Sequence, residues 1–125
     1  MQLANILFVA AGSAVGGVCR YLLSARLNSC GGFPYGTLTV NVAGALVIGF
    51  LSGVLAHCTG NSSALRAFAI AGFCGGFTTF STFSNETFRM LENAQYAAAA
   101  AYVLISVGAG LAAVFLGNAV AKVSV

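Results

Sequence analysis

Hydroxyl groups are concentrated in one short stretch of this sequence. Five of the seven residues from Thr78 to Ser84 carry a hydroxyl, and the other two are Phe80 and Phe83. Hydroxyls can donate hydrogen bonds, and the edges of aromatic rings carry a positive partial charge. Together with the amide of Asn41, these groups could replace the water around a small anion. Because no fixed positive charge in this stretch would hold the anion tightly, it could also leave the site.

Polar side chains surround most of this stretch when it is projected on a helix at about 100° per residue. Thr79, Thr82 and Glu86 form one strip, while Ser81 and Asn85 form another. A helix that faces lipid would not carry so many polar groups, so the stretch belongs in the middle of an assembly. Taken singly, the Thr79 and Ser81 hydroxyls could instead bond only to the preceding turn.

Paired glycines precede the hydroxyl-rich stretch. Gly75 and Gly76 are poor helix formers, so we expect the helix to break there, at mid-membrane depth. Broken backbone at that depth is tolerated only where it is buried in protein or lines a cavity. Freed carbonyls at such a break can coordinate a cation, and the N-terminus of a half-helix can favour an anion.

The composition places the whole chain in a membrane. Of 125 residues, 6% are charged and 59% are apolar, whereas a soluble domain carries about 25% charged residues. So few charges cannot cover a water-facing surface, which argues against a soluble enzyme and a disordered chain. The net charge of +3 is too small and too scattered to indicate nucleic-acid binding.

The apolar runs predict an all-α integral membrane protein with a single domain over residues 1–125. A span takes about 20 residues, and the runs fit four spans, the third broken at the glycines. The apolar part of the third run covers only residues 67–77, so the polar stretch must also lie at membrane depth. The predicted spans are residues 3–26, 37–57, 65–92 and 95–121.

Basic residues are divided almost evenly between the two sides of this four-span arrangement. Arg66 and Lys122 fall on one side, and Arg20, Arg26 and Arg89 fall on the other. An excess of Lys and Arg normally sets the orientation of a membrane protein. The chain could therefore insert both ways and pair with an inverted copy of itself. Alternatively, a feature not visible in the sequence fixes the orientation.

The four cysteines are interpreted as free thiols. No two of Cys19, Cys30, Cys58 and Cys74 form a Cys-x-x-Cys pair, which argues against a zinc site. The second span separates Cys30 from Cys58 and places them near opposite faces, where a disulfide within one chain is geometrically poor.

The sequence resembles the Fluc/CrcB family of fluoride channels along its whole length. The resemblance is carried by the string from Gly72 to Glu86, and by Gly16-x-x-x-Arg20-Tyr21 in the first span. The stretch from Gly36 to Asn41, which opens the second span, also resembles the family pattern. The resemblance implies a fluoride-selective channel for passive export of fluoride, with no organic cofactor. It further implies two antiparallel pores in a dual-topology homodimer, in the lipid bilayer of the cell's inner (plasma) membrane.

The same resemblance assigns roles to individual residues. Phe80 and Phe83 would form an aromatic box, and Asn41 would offer its amide to the path. The main-chain carbonyls of Gly75 and Thr78 would bind a structural sodium ion on the dimer axis. The further pathway residues are Thr79, Ser81, Thr82, Ser84, Tyr102 and Ser106. Arg20 would have a structural or vestibule role, and Glu86 either lines the mouth of the path or is simply solvated.

Two other functions remain alternatives. A small proton-coupled multidrug antiporter is also a four-span, dual-topology dimer, but it needs an intramembrane carboxylate for proton exchange. The only acids are Glu86 and Glu92, and there is no tryptophan to stack on a planar drug. A non-transporting accessory subunit would explain the many glycines, but it would not explain the hydroxyl-rich segment beside Asn41.

Overall fold

The computed structural model describes residues 3–28, 32–58 and 62–124, and every regular element in these ranges is helical. Three helices are long and apolar enough to cross a membrane: α1 (Leu3–Asn28), α2 (Tyr35–Ala56) and α6 (Tyr96–Ser124). The chain is therefore a multi-pass membrane protein. The exposed apolar side chains of α6 include Leu104, Phe115 and Val123, which suit a face that meets lipid or another protein.

The segment between α2 and α6, residues 63–92, is interrupted. Its upstream half, residues 63–77, consists of a short α3 (Ser63–Leu65), a π-helix (Arg66–Cys74) and a short α4 (Gly75–Phe77). Its downstream half is α5 (Phe80–Glu92), whose 13 residues rise only about 20 Å. Between the halves, Thr78 and Thr79 adopt extended backbone conformations. We refer to these two residues as the break.

The prediction of a break at Gly75 and Gly76 is wrong in its position. Both glycines are helical, and the helix continues to Phe77 before the backbone becomes extended at Thr78. Helix propensity alone favoured the glycines, but the contacts of the fold decide the position. Gly76 lies against the main chain of Ser13, so it serves close packing between helices.

Glycines bring the helices into contact in two seams. On α1, a Cβ at Gly12 or Gly16 would collide with carbonyl oxygens of the π-helix. Between α2 and α6, Gly49 and Gly117 each lie against the main chain of the other helix. The small residues thus let backbones approach closely, which is the ordinary use of glycine in membrane helices.

Residues 63–92 run from one end of the molecule to the other. Near their start, the Arg66 guanidinium donates to the Leu55 carbonyl at the end of α2, 2.5 Å away. Near their finish, Met90 packs with Ala99 and Tyr102 at the beginning of α6. The two halves together therefore cover the distance that α2 and α6 each cover as one helix.

The described cysteines are free thiols, as the sequence predicts. Cys19 and Cys58 are exposed, and Cys74 is buried. Cys30 lies outside the described residues.

Candidate ion pathway

The side chain of Asn41 holds the main chain of the break. Its Oδ1 accepts a hydrogen bond from the Thr79 amide at 2.7 Å, and its Nδ2 donates to the Thr79 carbonyl at 3.0 Å. Asn41 thus replaces hydrogen bonds that a continuous helix would have made for Thr79. The Asn41 amide has a second N–H, which has no acceptor among the described residues.

Threonine side chains complete the two helix ends at the break. The Thr78 hydroxyl donates to the Cys74 carbonyl at 2.8 Å, and the Thr78 amide donates to the same oxygen at 3.0 Å. The Thr79 hydroxyl accepts from the Thr82 amide at 3.2 Å, which makes Thr79 the N-cap of α5. A threonine pair therefore ends one helix and begins the next.

Arg20 reaches the break from α1. Its Nε donates to the Gly76 carbonyl at 3.0 Å, one of the carbonyls that loses its helical partner when the helix stops at Phe77. A cation at a helix C-terminus is also favoured by the helix dipole. This contact gives Arg20 a structural role, and Arg20 also lines a polar cavity between α1 and the break, as a vestibule residue would.

Two carbonyl oxygens near the break, those of Gly75 and Thr78, receive no hydrogen bond within the described residues. Both residues line an open cavity of about 460 Å³, together with Asn41, Gly44 and Cys74. Gly75 is exposed. Carbonyl oxygens are ligands that hard cations prefer, so the donor set at this cavity fits a sodium ion.

The two phenylalanines of the hydroxyl-rich stretch have different surroundings. Phe83 packs on Tyr102 with ring centroids 5.0 Å apart, beside the cluster of buried residues that holds Met90 and Ala99. Phe80 is 80% exposed, and its ring centroid lies 5.8 Å from that of Phe83. The pair therefore joins the interior of the protomer to its surface.

Glu86 is half-buried on α5, and its carboxylate lies between two hydroxyls that come from other helices. One carboxylate oxygen accepts from the Thr37 hydroxyl at 2.7 Å, and the other accepts from the Tyr102 hydroxyl at 2.7 Å. Thr37 and Tyr102 are fully buried. We refer to these three residues as the carboxylate cluster.

Thr37 was not assigned a role from the sequence. It belongs to the stretch that opens the second span, but its partner is 49 positions away. Its position near the start of the second span was the signal that the sequence offered, and this position does not identify Glu86 as the acceptor.

Hydroxyl protons along the third segment are not equally available to an ion. A hydroxyl has one proton to donate, and Ser84 uses its own on the Phe80 carbonyl at 2.9 Å. The Thr79 hydroxyl donates to that of Thr82 at 3.0 Å, so the Thr82 proton has no acceptor among the described residues. The Ser81 hydroxyl lies 3.4 Å from that of Thr79. On α6, the Ser106 oxygen is buried without a partner in the described part.

Two polar cavities each have one residue of the carboxylate cluster in their walls. The first, about 260 Å³, is lined by residues of α1, α2, the break and α5, among them Arg20, Ser24, Asn28, Thr37, Thr79 and Thr82. The second, about 250 Å³, is lined among others by Asn28, Pro34, Glu86, Arg89, Asn93 and Gln95. We call them the break cavity and the end cavity. The Thr37–Glu86 hydrogen bond therefore joins a residue of one cavity wall to a residue of the other, and Asn28 lines both cavities.

The family model of CrcB-like protein, Camphor Resistance (CrcB), matches residues 7–118 of this sequence. The chain belongs to the CrcB family. A fluoride-specific ion channel FluC of Rhizobium meliloti (strain 1021) is 44% identical to this CrcB-family chain over 123 residues, covering 97% of it and 98% of the relative.

Other relatives carry the same name. A fluoride-specific ion channel FluC of Methylobacterium nodulans is 47% identical over 121 residues, which covers 94% of this chain and 96% of the relative. One from Roseiflexus sp. (strain RS-1) is 44% identical over 121 residues, with coverage of 95% and 98%. The similarity therefore extends over essentially the full length of each protein.

Proposed function

We propose that this chain forms a fluoride-selective ion channel for passive export of fluoride across the cell's inner (plasma) membrane, and that it is not an enzyme. The proposal is supported by full-length relatives that bear the name fluoride-specific ion channel. The observation that carries it in this molecule is the break, where hydroxyls, an amide and aromatic rings are gathered and where the nearby Arg20 guanidinium donates to the Gly76 carbonyl.

Neutral hydrogen-bond donors can select fluoride over other ions without binding it too tightly to be released. Fluoride is small and strongly hydrated, so leaving water requires several close hydrogen-bond donors at once. The free proton of Thr82 and the second N–H of Asn41 are suited to this, and Phe80 and Phe83 can add aromatic edges. Weak, repeated sites of this kind allow an ion to move on to the next one.

The functional unit in this proposal is an antiparallel homodimer with two pores. One protomer leaves Phe80 exposed and the cavity beside Gly75 open, and a second copy would cover both. Residues 63–92 extend from the end of α2 to the beginning of α6, which supports a fourth span. With four spans, two basic residues lie at one end of the protomer and three at the other. An inverted partner is therefore compatible with the charge distribution.

A structural sodium ion on the dimer axis is part of the proposal. The carbonyl oxygens of Gly75 and Thr78 from both protomers would hold it, because they receive no hydrogen bond within the described residues. The ion would supply positive charge that fixes the two breaks against each other. Anomalous scattering from a heavier monovalent cation tests this, and density away from these carbonyls would remove the sodium assignment.

A liposome efflux assay tests the proposed function. Purified protein should release fluoride from loaded liposomes down its gradient, while chloride loaded in the same way is retained. Equal passage of chloride would contradict fluoride selectivity. No fluoride release, with correctly inserted dimers present, would contradict the channel itself.

The aromatic rings can be tested separately in the same assay. Replacing Phe80 or Phe83 by isoleucine keeps an apolar side chain and removes the aromatic edge, so fluoride flux should fall while the dimer persists. Phe83→Ile also disturbs packing on Tyr102, and Phe80→Ile is the cleaner variant because that ring is exposed in the protomer. Wild-type flux from the double variant would show that the rings only pack.

The antiporter alternative is not favoured. Glu86 is a carboxylate inside the bundle, but both of its oxygens already accept hydroxyl protons. Proton-driven uptake of a cationic drug into liposomes, without fluoride release, would reverse this preference.

A further inference from the structure

Arg89 is a charged residue that lines the end cavity and has no role in the pathway proposed above. It lies one helical turn after Glu86 on α5, is exposed, and lines the same cavity as Glu86. No ion pair to its guanidinium occurs among the described residues. Its positive charge is therefore available to the cavity and the water at its mouth.

Glu86 makes this positive charge relevant to anions. Its carboxylate forms part of the wall of the end cavity and is held by Thr37 and Tyr102 from the inner side. A negative wall repels an approaching anion, and this repulsion acts over longer distances at low ionic strength. The other polar groups that line the cavity include Asn28, Asn93 and Gln95, which carry no charge.

We propose that Arg89 supplies the positive potential that admits small anions to the end cavity, against the negative charge of Glu86. This inference rests on the proposed fluoride channel, and it makes the end cavity one mouth of the path. In an antiparallel dimer, each face of the membrane has one such mouth. Arg89 therefore acts on fluoride approach from either side.

A structural reading of Arg89 makes a different prediction. A cation in the last turn of a helix is stabilised by the helix dipole, and the basic residue in the last turn of α5 is Arg89. If this were its whole role, replacement would lower the stability of the protein but would not change how flux depends on salt. The dependence of fluoride flux on ionic strength therefore separates the two roles.

The experiment compares three variants in liposomes at low fluoride, with the ionic strength set by an impermeant salt. Near 0.01 M, where charges act over about 30 Å, Arg89→Gln should lower fluoride flux roughly three- to tenfold. Near 1 M, where the range is about 3 Å, the difference should shrink below about twofold. Arg89→Lys keeps the charge and should stay close to wild type at both salts.

Lys122→Gln is the matched control, because it removes one charge at the end of α6 without touching the end cavity. It should leave fluoride flux unchanged. Equal losses from Arg89→Gln and Lys122→Gln would overturn the inference, as would wild-type flux of Arg89→Gln at low salt. A loss of equal size at both salts would assign Arg89 a purely structural role and also overturn it.

The result for the wild-type protein keeps this inference distinct from the proposed function. Wild-type fluoride flux together with an unaffected Arg89→Gln variant overturns only the role of Arg89. Absence of fluoride flux in the wild type overturns the channel and the role of Arg89 with it.

Discussion

The two halves of the third segment are held in place by different means. Residues 63–77 are packed against α1 through glycines, with main chain against main chain. The downstream half is positioned by side-chain hydrogen bonds, from Asn41 at its start and from Thr37 and Tyr102 at Glu86. Close packing predominates in the first arrangement, to which the Arg20 bond adds a polar contact, and polar groups predominate in the second. Steric and polar substitutions should therefore affect the two halves unequally.

The largest effect is expected from adding one methyl group where the glycines of α1 contact residues 63–77. In Gly16→Ala, the new Cβ would collide with the Phe73 carbonyl, and main chain on both sides cannot yield easily. We expect a loss of at least about 3 kcal/mol in the free energy of unfolding, the upper end of overpacking costs. Chemical unfolding in detergent measures it.

Gly17→Ala is the control for this steric prediction. Gly17 is the next residue on the same helix, and nothing lies within 4 Å of a Cβ added there. Its replacement should be neutral or stabilising by up to about 1 kcal/mol, because alanine is the better helix former. Equal destabilisation by both variants would show that close packing does not hold the upstream half.

A smaller loss is expected when the break loses its polar support. Asn41→Leu would leave the Thr79 amide and carbonyl without their partners, which should cost about 2 to 3 kcal/mol of unfolding free energy. Amide hydrogen exchange at Thr79 should also become faster. Ser106→Ala serves as the comparison, since its hydroxyl has no partner among the described residues. If the two variants were equally stable, the break would not depend on Asn41.

The smallest effects should distinguish hydroxyls within the downstream half. Ser84 already donates its proton to the Phe80 carbonyl, so Ser84→Ala should change fluoride flux by less than about twofold. The Thr82 proton is free, and Thr82→Val should lower flux roughly tenfold, which corresponds to one lost hydrogen bond to a charged group. Flux measurements in liposomes test both. The reverse order would mean that proton availability does not identify the pathway residues.

Local patterns in the sequence predicted the long helices well. The apolar runs predicted α1, α2 and α6, and the paired glycines predicted that the helix of the third segment is interrupted. The position of the break was missed by three residues, because glycine propensity is local whereas the Asn41 amide comes from another helix. The pairing of Thr37 and Tyr102 with Glu86 was also missed. It joins three helices, and periodicity within one helix contains no information about such a pairing.

The close contact between α2 and α6 bears on how long the side chain at position 86 must be. Thr37 is on α2 and Tyr102 is on α6, and these helices are in main-chain contact at Gly49 and Gly117. The close contact of these helices contributes to the distance between the two hydroxyls that bond to Glu86. Aspartate at this position has a side chain one methylene shorter, so we expect it to lose at least one of the two hydroxyl partners. Bonding both hydroxyls therefore requires the side-chain length of glutamate as well as its charge, and glycines far from position 86 in the sequence contribute to that requirement.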